Sequence, residues 1–247
     1  MFNNINTKSI TFNLIAINII VYIASQIFLQ LYPLLSLHYI FNTQVITSID
    51  TNKYESVYAF FLKNGYGGAF LPIQLLTHMF MHYGFMHLFS NMFSLFMFGT
   101  ILEQVWGPRR FLVFYFITGF GAVILHTAVQ CYIVYSATGT INPSLDVLNS
   151  HPQVLGTYFS TTVGASGAIF GIATAFATLF PNTELMIIPI PIPIKAKYLM
   201  PLYILFELVM GVRGGAGDDV AHFAHLGGAL FGFILVRIWN RNRTTLY

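Results

Sequence analysis

Charge is scarce in this chain. Lys and Arg supply 11 of its 247 residues and Asp and Glu 8, together only 8%, where soluble domains carry about 25%. Apolar residues make up 56%, with 25 Phe among them, and mean hydropathy is +0.69. A soluble fold has no interior large enough for so much apolar surface, so the composition points to a membrane. Cysteine is nearly absent: Cys131 stands alone, which excludes an intrachain disulfide and a Cys-rich metal site. Basic patches interleaved with aromatics are missing too, so no nucleic-acid partner is expected. The first apolar run has no clear small-residue cleavage site and is longer than a signal core, so it reads as a retained span. The lack of an internal repeat argues against a transporter built of two related halves.

What the chain does have is apolar runs. Six candidate spans lie at about 10–31, 76–98, 110–135, 162–180, 198–212 and 220–238. They predict an all-α polytopic membrane protein, with residues 1–247 forming one six-helix bundle. The fifth is short for a span, which needs about 20 residues. It also carries Glu207, which is costly in lipid unless it faces the bundle or lies near an end. The PIPIP run at 189–193 cannot be regular helix, because proline lacks the backbone donor. Tyr32, Tyr39, Tyr58 and Phe60 suggest an amphipathic piece resting at the interface.

Basic residues orient the spans. With the N-terminus inside, Lys8, Arg109, Arg110, Lys195, Lys197, Arg237, Arg241 and Arg243 fall inside, and only Lys53, Lys63 and Arg213 fall outside. Both termini are therefore expected in the cytoplasm, with the protein in the cell's inner (plasma) membrane.

The stretch GASGAIFG, Gly164 to Gly171, holds one hydroxyl, Ser166. Ser166 lies about five residues into the fourth span from the outside, and His225 about five into the sixth. At about 1.5 Å per residue both sit roughly 7–8 Å below their helix starts. Matched depth is what a Ser–His pair needs. Close approach of the two helices is permitted by Gly167 and Gly171 in one, and by Gly228 and Gly232 in the other, each pair four apart. Phe170, one turn after Ser166, is placed to pack on His225. Each feature also has a plain packing explanation: GxxxG pairs and serines are common in membrane helices.

The second span carries His78, His82, His87 and Asn91. His87 and Asn91 share a helix face and both can donate hydrogen bonds, so they are candidates to hold a developing oxyanion. For His78, ordinary hydrogen bonding between helices is the preferred reading. Glu103, four residues from both Gly99 and Gly107, reads as a structural carboxylate in a turn-like inner segment. It would accept backbone donors or pair with Arg109 or Arg110. His126 and Gln130, four apart, are placed to link helices.

These residues resemble the rhomboid intramembrane serine proteases, from about Thr77 to Gly232. Four motifs fall in family order: His78, His82, His87 and Asn91; Gly99, Glu103 and Gly107; Gly164, Ala165, Ser166 and Gly167; and Ala224, His225, Gly227, Gly228 and Gly232. The resemblance implies a six-helix bundle with a water-filled cavity open to the outer side. It implies a catalytic dyad of Ser166 and His225 without an acidic third member. The oxyanion site would comprise His87, Asn91 and the Ser166 N–H, beside Gly164, with His82, Phe170 and His222 in support. Gly167, Gly171, Gly228, Gly232 and Glu103 would be structural. Substrates would be single-pass transmembrane proteins met in the lipid bilayer, with no cofactor and no metal. Where the family often has Trp-Arg before the second span, this chain has Pro72, Ile73 and Gln74, which puts the anchoring of the first loop in question. Two rival readings remain. One is a metal enzyme using His78 and His82, or His222 and His225. The other is an inactive binding protein of the same fold.

Overall fold

The computed structural model describes residues 9–41, 69–187, 190–213 and 219–240. Tyr58, Phe60, Lys8, Lys53, Lys63, Arg241 and Arg243 lie outside the described residues. Among the described residues, regular structure is helical apart from one antiparallel hairpin and an isolated bridge between Leu37 and Thr162. The α-helices among the described residues are α1 (Ile10–Ile27), α2 (Leu31–Leu35), α3 (Gln74–Thr77), α4 (Phe85–Ser94), α5 (Thr100–Trp106), α6 (Pro108–Thr138), α7 (Leu145–Ser150), α8 (Leu155–Phe159), α9 (Ser166–Leu179), α10 (Ala196–Arg213) and α11 (Asp219–Trp239). A π-turn at Leu95–Gly99 fuses α4 and α5 into one rod, Phe85–Trp106. Among the described residues, four helices are long and apolar enough to cross a membrane: Ile10–Ile27, Phe85–Trp106, Pro108–Thr138 and Ala221–Trp239. The protein is thus a helical, polytopic membrane protein.

Several expected boundaries move. The second span does not begin at 76: residues 74–80 form α3 and a 3₁₀ turn, and the long helix starts after Gly84. The segment around Glu103 is helix rather than turn, and the turn comes at Gly107. There φ is +79°, which suits glycine, and Pro108 then opens α6. The fourth span is only the 14-residue α9. The prolines at 189–193 are non-helical as expected. Strands β1 (Glu184–Ile187) and β2 (Ile190–Lys195) form a hairpin in which Glu184 faces Lys195.

Because the outer surface is apolar, burial distinguishes polar residues more than apolar ones. Ile20, Ile23 and Ile27 of α1 are exposed, while Asn18 and Thr11 are buried. Glu103 draws the start of α1 onto the end of α5. It accepts from the N–H groups of Ile10 (2.7 Å) and Thr11 (2.9 Å) and the hydroxyls of Ser9 (2.8 Å) and Thr11 (2.6 Å). A carboxylate there answers the unpaired donors and the positive end of the helix dipole. The first of its two expected partners, backbone donors, is the one realised. Trp106 and Trp239 meet at the same end, ring centroids 5.4 Å apart. Arg110 lies over Trp239. Following the helices from there puts Arg109, Lys195, Lys197 and Arg237 at that end and Arg213 at the other.

Glycine brings α9 and α11 together. A Cβ on Gly228 would collide with the Gly167 carbonyl, and one on Gly232 would stand 2.6 Å from Gly171 Cα. Backbones this close leave room for no side chain, so both GxxxG pairs are contact surfaces. Gly167 and Gly171 also receive Ala122 and Thr118 of α6.

Candidate active site

Ser166 is the first residue of α9, preceded by Ala165 as N-cap. It does not lie five residues into a helix. Residues 162–165 descend as loop, and α9 is short because it starts inside the bundle. At this first helical position the Ser166 N–H has no acceptor within its own helix. His225 lies six residues after the start of α11. The two meet at the same depth, as expected, with His225 Nε2 2.8 Å from Ser166 Oγ. Phe170, one turn on, lies flat against the imidazole with centroids 4.3 Å apart and planes 7° apart. Tyr203 of α10 backs Phe170 at 5.0 Å.

The loop before the serine touches the second motif. Gly164 has φ +120°, a region that disfavours side chains, and a Cβ there would stand 2.8 Å from His87 Nε2 and 3.6 Å from Asn91 Nδ2. Its N–H donates to the His78 carbonyl at 2.9 Å. His87 Nδ1 and Asn91 Nδ2 are buried without a protein hydrogen-bond partner, as are both ring nitrogens of His82. Unspent donors beside the loop that carries a serine are what an oxyanion site would require. His82 packs edge-on against His87 at 5.0 Å. A cavity of about 40 Å³ adjoins Ser166 and His225, with His78, His126 and Thr162 also on its wall. That is room for a water molecule among polar groups.

Other motif residues serve the frame. His78 Nδ1 bonds the Gln74 carbonyl within its own turn (2.8 Å). His126 Nε2 bonds Thr162 Oγ1 (2.7 Å) and Gln130 donates to the Thr157 carbonyl (3.3 Å), so both tie α6 to the segment before the serine. Gln74, in the stretch without Trp-Arg, joins the two described ends of the first loop. It accepts from the Leu71 N–H (3.1 Å) and donates to the Leu34 carbonyl (3.2 Å).

The residue that sequence reasoning missed is Glu207. No acidic neighbour of the pair is expected, yet Glu207 Oε2 lies 2.9 Å from His225 Nδ1 and 2.6 Å from His222 Nδ1. Its cost in lipid is legible in the sequence and signals that it faces the bundle, but its partners are 15 and 18 residues away. Glu207, His222 and His225 are also the one group among the described residues able to offer three ligand atoms to a metal, all within 4.8 Å. Among the described residues His78 and His82 join no such group.

A rhomboid domain family model matches residues 71–242, which contain Ser166, His225, His87, Asn91 and Glu207. The chain belongs to the rhomboid family. It is 32% identical over 163 residues to RHOMBOID-like protein 6, mitochondrial, of Arabidopsis thaliana, covering 66% of this chain and 42% of that protein. It is 31% identical over 163 residues to Presenilin-associated rhomboid-like protein A, mitochondrial, of Danio rerio, covering 66% and 36%. The human Presenilin-associated rhomboid-like protein, mitochondrial, is 28% identical over 186 residues, 69% of this chain and 42% of its own length. This rhomboid therefore spans about two-fifths of the length of the curated relatives it matches.

Proposed function

We propose that this rhomboid is an intramembrane serine endopeptidase whose substrates are single-pass membrane proteins presented from the surrounding bilayer. The observation that carries the reading is the 2.8 Å contact of Ser166 Oγ with His225 Nε2. In the first half-reaction His225 Nε2 takes the Ser166 proton as Oγ attacks a peptide carbonyl. Asn91, His87 and the Ser166 N–H stabilise the oxyanion. His225 then passes its proton to the leaving amine. In the second half-reaction a water attacks the acyl carbon as the same nitrogen takes its proton, and collapse of the intermediate breaks the bond to Ser166 Oγ, returns that proton to Oγ and frees the carboxyl product. Phe170 holds the imidazole plane throughout, and no cofactor or metal takes part.

The wider architecture belongs to the same proposal. Residues 1–247 form one domain, with α9 and α10 joining the four long helices as the remaining spans of a six-span bundle. The basic end faces the cytoplasm together with both termini, and the serine end opens to the outer side. A plasma membrane is the site we favour. Relatives whose names say mitochondrial make a mitochondrial membrane the alternative that fractionation distinguishes.

The test uses a single-span model substrate in proteoliposomes with wild type, Ser166→Ala and His225→Ala, each with and without chelator. Cleavage lost in both variants and indifferent to chelator is the expected result. The cluster of Glu207, His222 and His225 favours a second reading, a metal hydrolase. Cleavage that survives Ser166→Ala and stops with chelator would establish that reading instead.

A further inference from the structure

One buried group at the site has no part in a two-residue mechanism. Glu207 is 3% exposed, and a single oxygen of its carboxylate meets two imidazoles. We propose that Glu207 is a positioning residue that holds His225 through Nδ1–H, so that Nε2 faces Ser166 as a base. The inference rests on the serine-protease reading of the site.

The argument is one of donors and acceptors. A neutral imidazole carries one N–H and one lone pair, and an ionised carboxylate only accepts. With the Glu207 carboxylate ionised, each ring can bond that oxygen only as an Nδ1–H donor, at 2.6 and 2.9 Å. His225 therefore has its proton on Nδ1. Its Nε2 lone pair then points at the Ser166 hydroxyl, 2.8 Å away. The other tautomer would set two lone pairs against each other at Nδ1 and Oε2, and would aim an N–H at Ser166 where a base is needed. Hydrogen bonding at one ring nitrogen thus decides the chemistry of the other.

The same contact acts later in the reaction. Once Nε2 has taken the serine proton, His225 is a cation, and Glu207 is the anion beside it in surroundings of low dielectric. The Nδ1 proton remains on the ring while the Ser166 proton passes through Nε2 to the leaving amine. Tyr203 and Glu207 stand four apart on α10 and share a face. Tyr203 backs Phe170, which covers the flat of the His225 ring, and Glu207 holds its edge. One helix thereby orients the imidazole in two directions. His222, one turn before His225, fixes the carboxylate from its other side.

The test uses the full chain in proteoliposomes. Wild type labelled with ¹⁵N-histidine reports the His225 tautomer, assigned by the signals lost in His225→Ala. Nδ1–H with an unprotonated Nε2 is expected, and Nε2–H would overturn the proposal. Glu207→Gln keeps the side chain's shape and removes its charge. With active sites counted by a fluorophosphonate probe, we expect its kcat to fall by about 10²–10⁴, the upper figure being the worth of the aspartate in Ser-His-Asp triads. KM and melting temperature should be unchanged, which a merely structural role would not give. A kcat within threefold of wild type would overturn the proposal. If Glu207→Gln fails to fold, the wild-type tautomer alone decides. If the probe leaves Ser166 of the wild type unlabelled, the protease reading has fallen and this proposal with it. That outcome is distinct from a labelled wild type matched by an equally active Glu207→Gln.

Discussion

Phe170 and His225 lie face to face, 4.3 Å between ring centroids and within 7° of parallel. The contact confines the imidazole to the plane in which Nε2 meets Ser166. Stacked aromatic pairs contribute about 0.5–1.5 kcal/mol beyond area burial. Phe170→Ala should therefore lower kcat by up to about tenfold, while Phe170→Tyr, which keeps the ring, should stay within about twofold. Steady-state cleavage with active-site titration checks both.

Asn91 brings an unspent amide donor to the edge of Gly164, two residues before the serine. Removing one oxyanion donor typically costs about 10²–10³ in kcat. Asn91→Ala should show that loss with little change in KM. Equal loss in binding and turnover would point to a collapsed site instead.

Gly228 faces the Gly167 carbonyl with no room for a methyl group. Gly228→Ala should destabilise the bundle by about 1–3 kcal/mol or more, the usual cost of overpacking. Gly211→Ala should be milder. Its Cβ would meet the side chains of Phe223 and His222 at 3.1–3.2 Å, and side chains yield more easily than backbone. Thermal unfolding in detergent ranks the two.

Glu103 lies at the end of the bundle away from the serine and caps α1 with four accepted hydrogen bonds. Glu103→Ala should lower stability by about 2 kcal/mol, a figure in line with charged caps. Turnover per titrated active site should be unchanged. Melting temperature and active-site counts separate the two effects.

His38, outside the spans, is buried with its Nε2–H on the Pro33 carbonyl at 2.7 Å. Burial holds its pKa below the ordinary 6.5, against the opposing pull of that hydrogen bond. The unfolded chain then binds the proton more readily than the folded one. This contribution to stability is complete above about pH 6.5 and fades as pH falls toward the folded pKa. His38→Gln should make the acid-side decline in melting temperature shallower, and an unchanged slope would assign that decline to other groups.

Composition and periodicity alone made this a helical membrane protein, because apolar content and scarce charge act through the bilayer whatever the topology. Matched depth, motif spacing and the family resemblance together nominated Ser166, His225, His87 and Asn91, and glycines four apart on one helix face marked both pairs as able to admit a close neighbour. Only the tertiary structure decided that α9 begins at Ser166 and that Gln74 bonds the segments at 33–38 and 71. It alone decided that Glu207 meets His222 and His225. Such contacts depend on the rotation and depth of one helix against another. Those quantities come from packing across the whole bundle, which no local pattern in a single chain encodes.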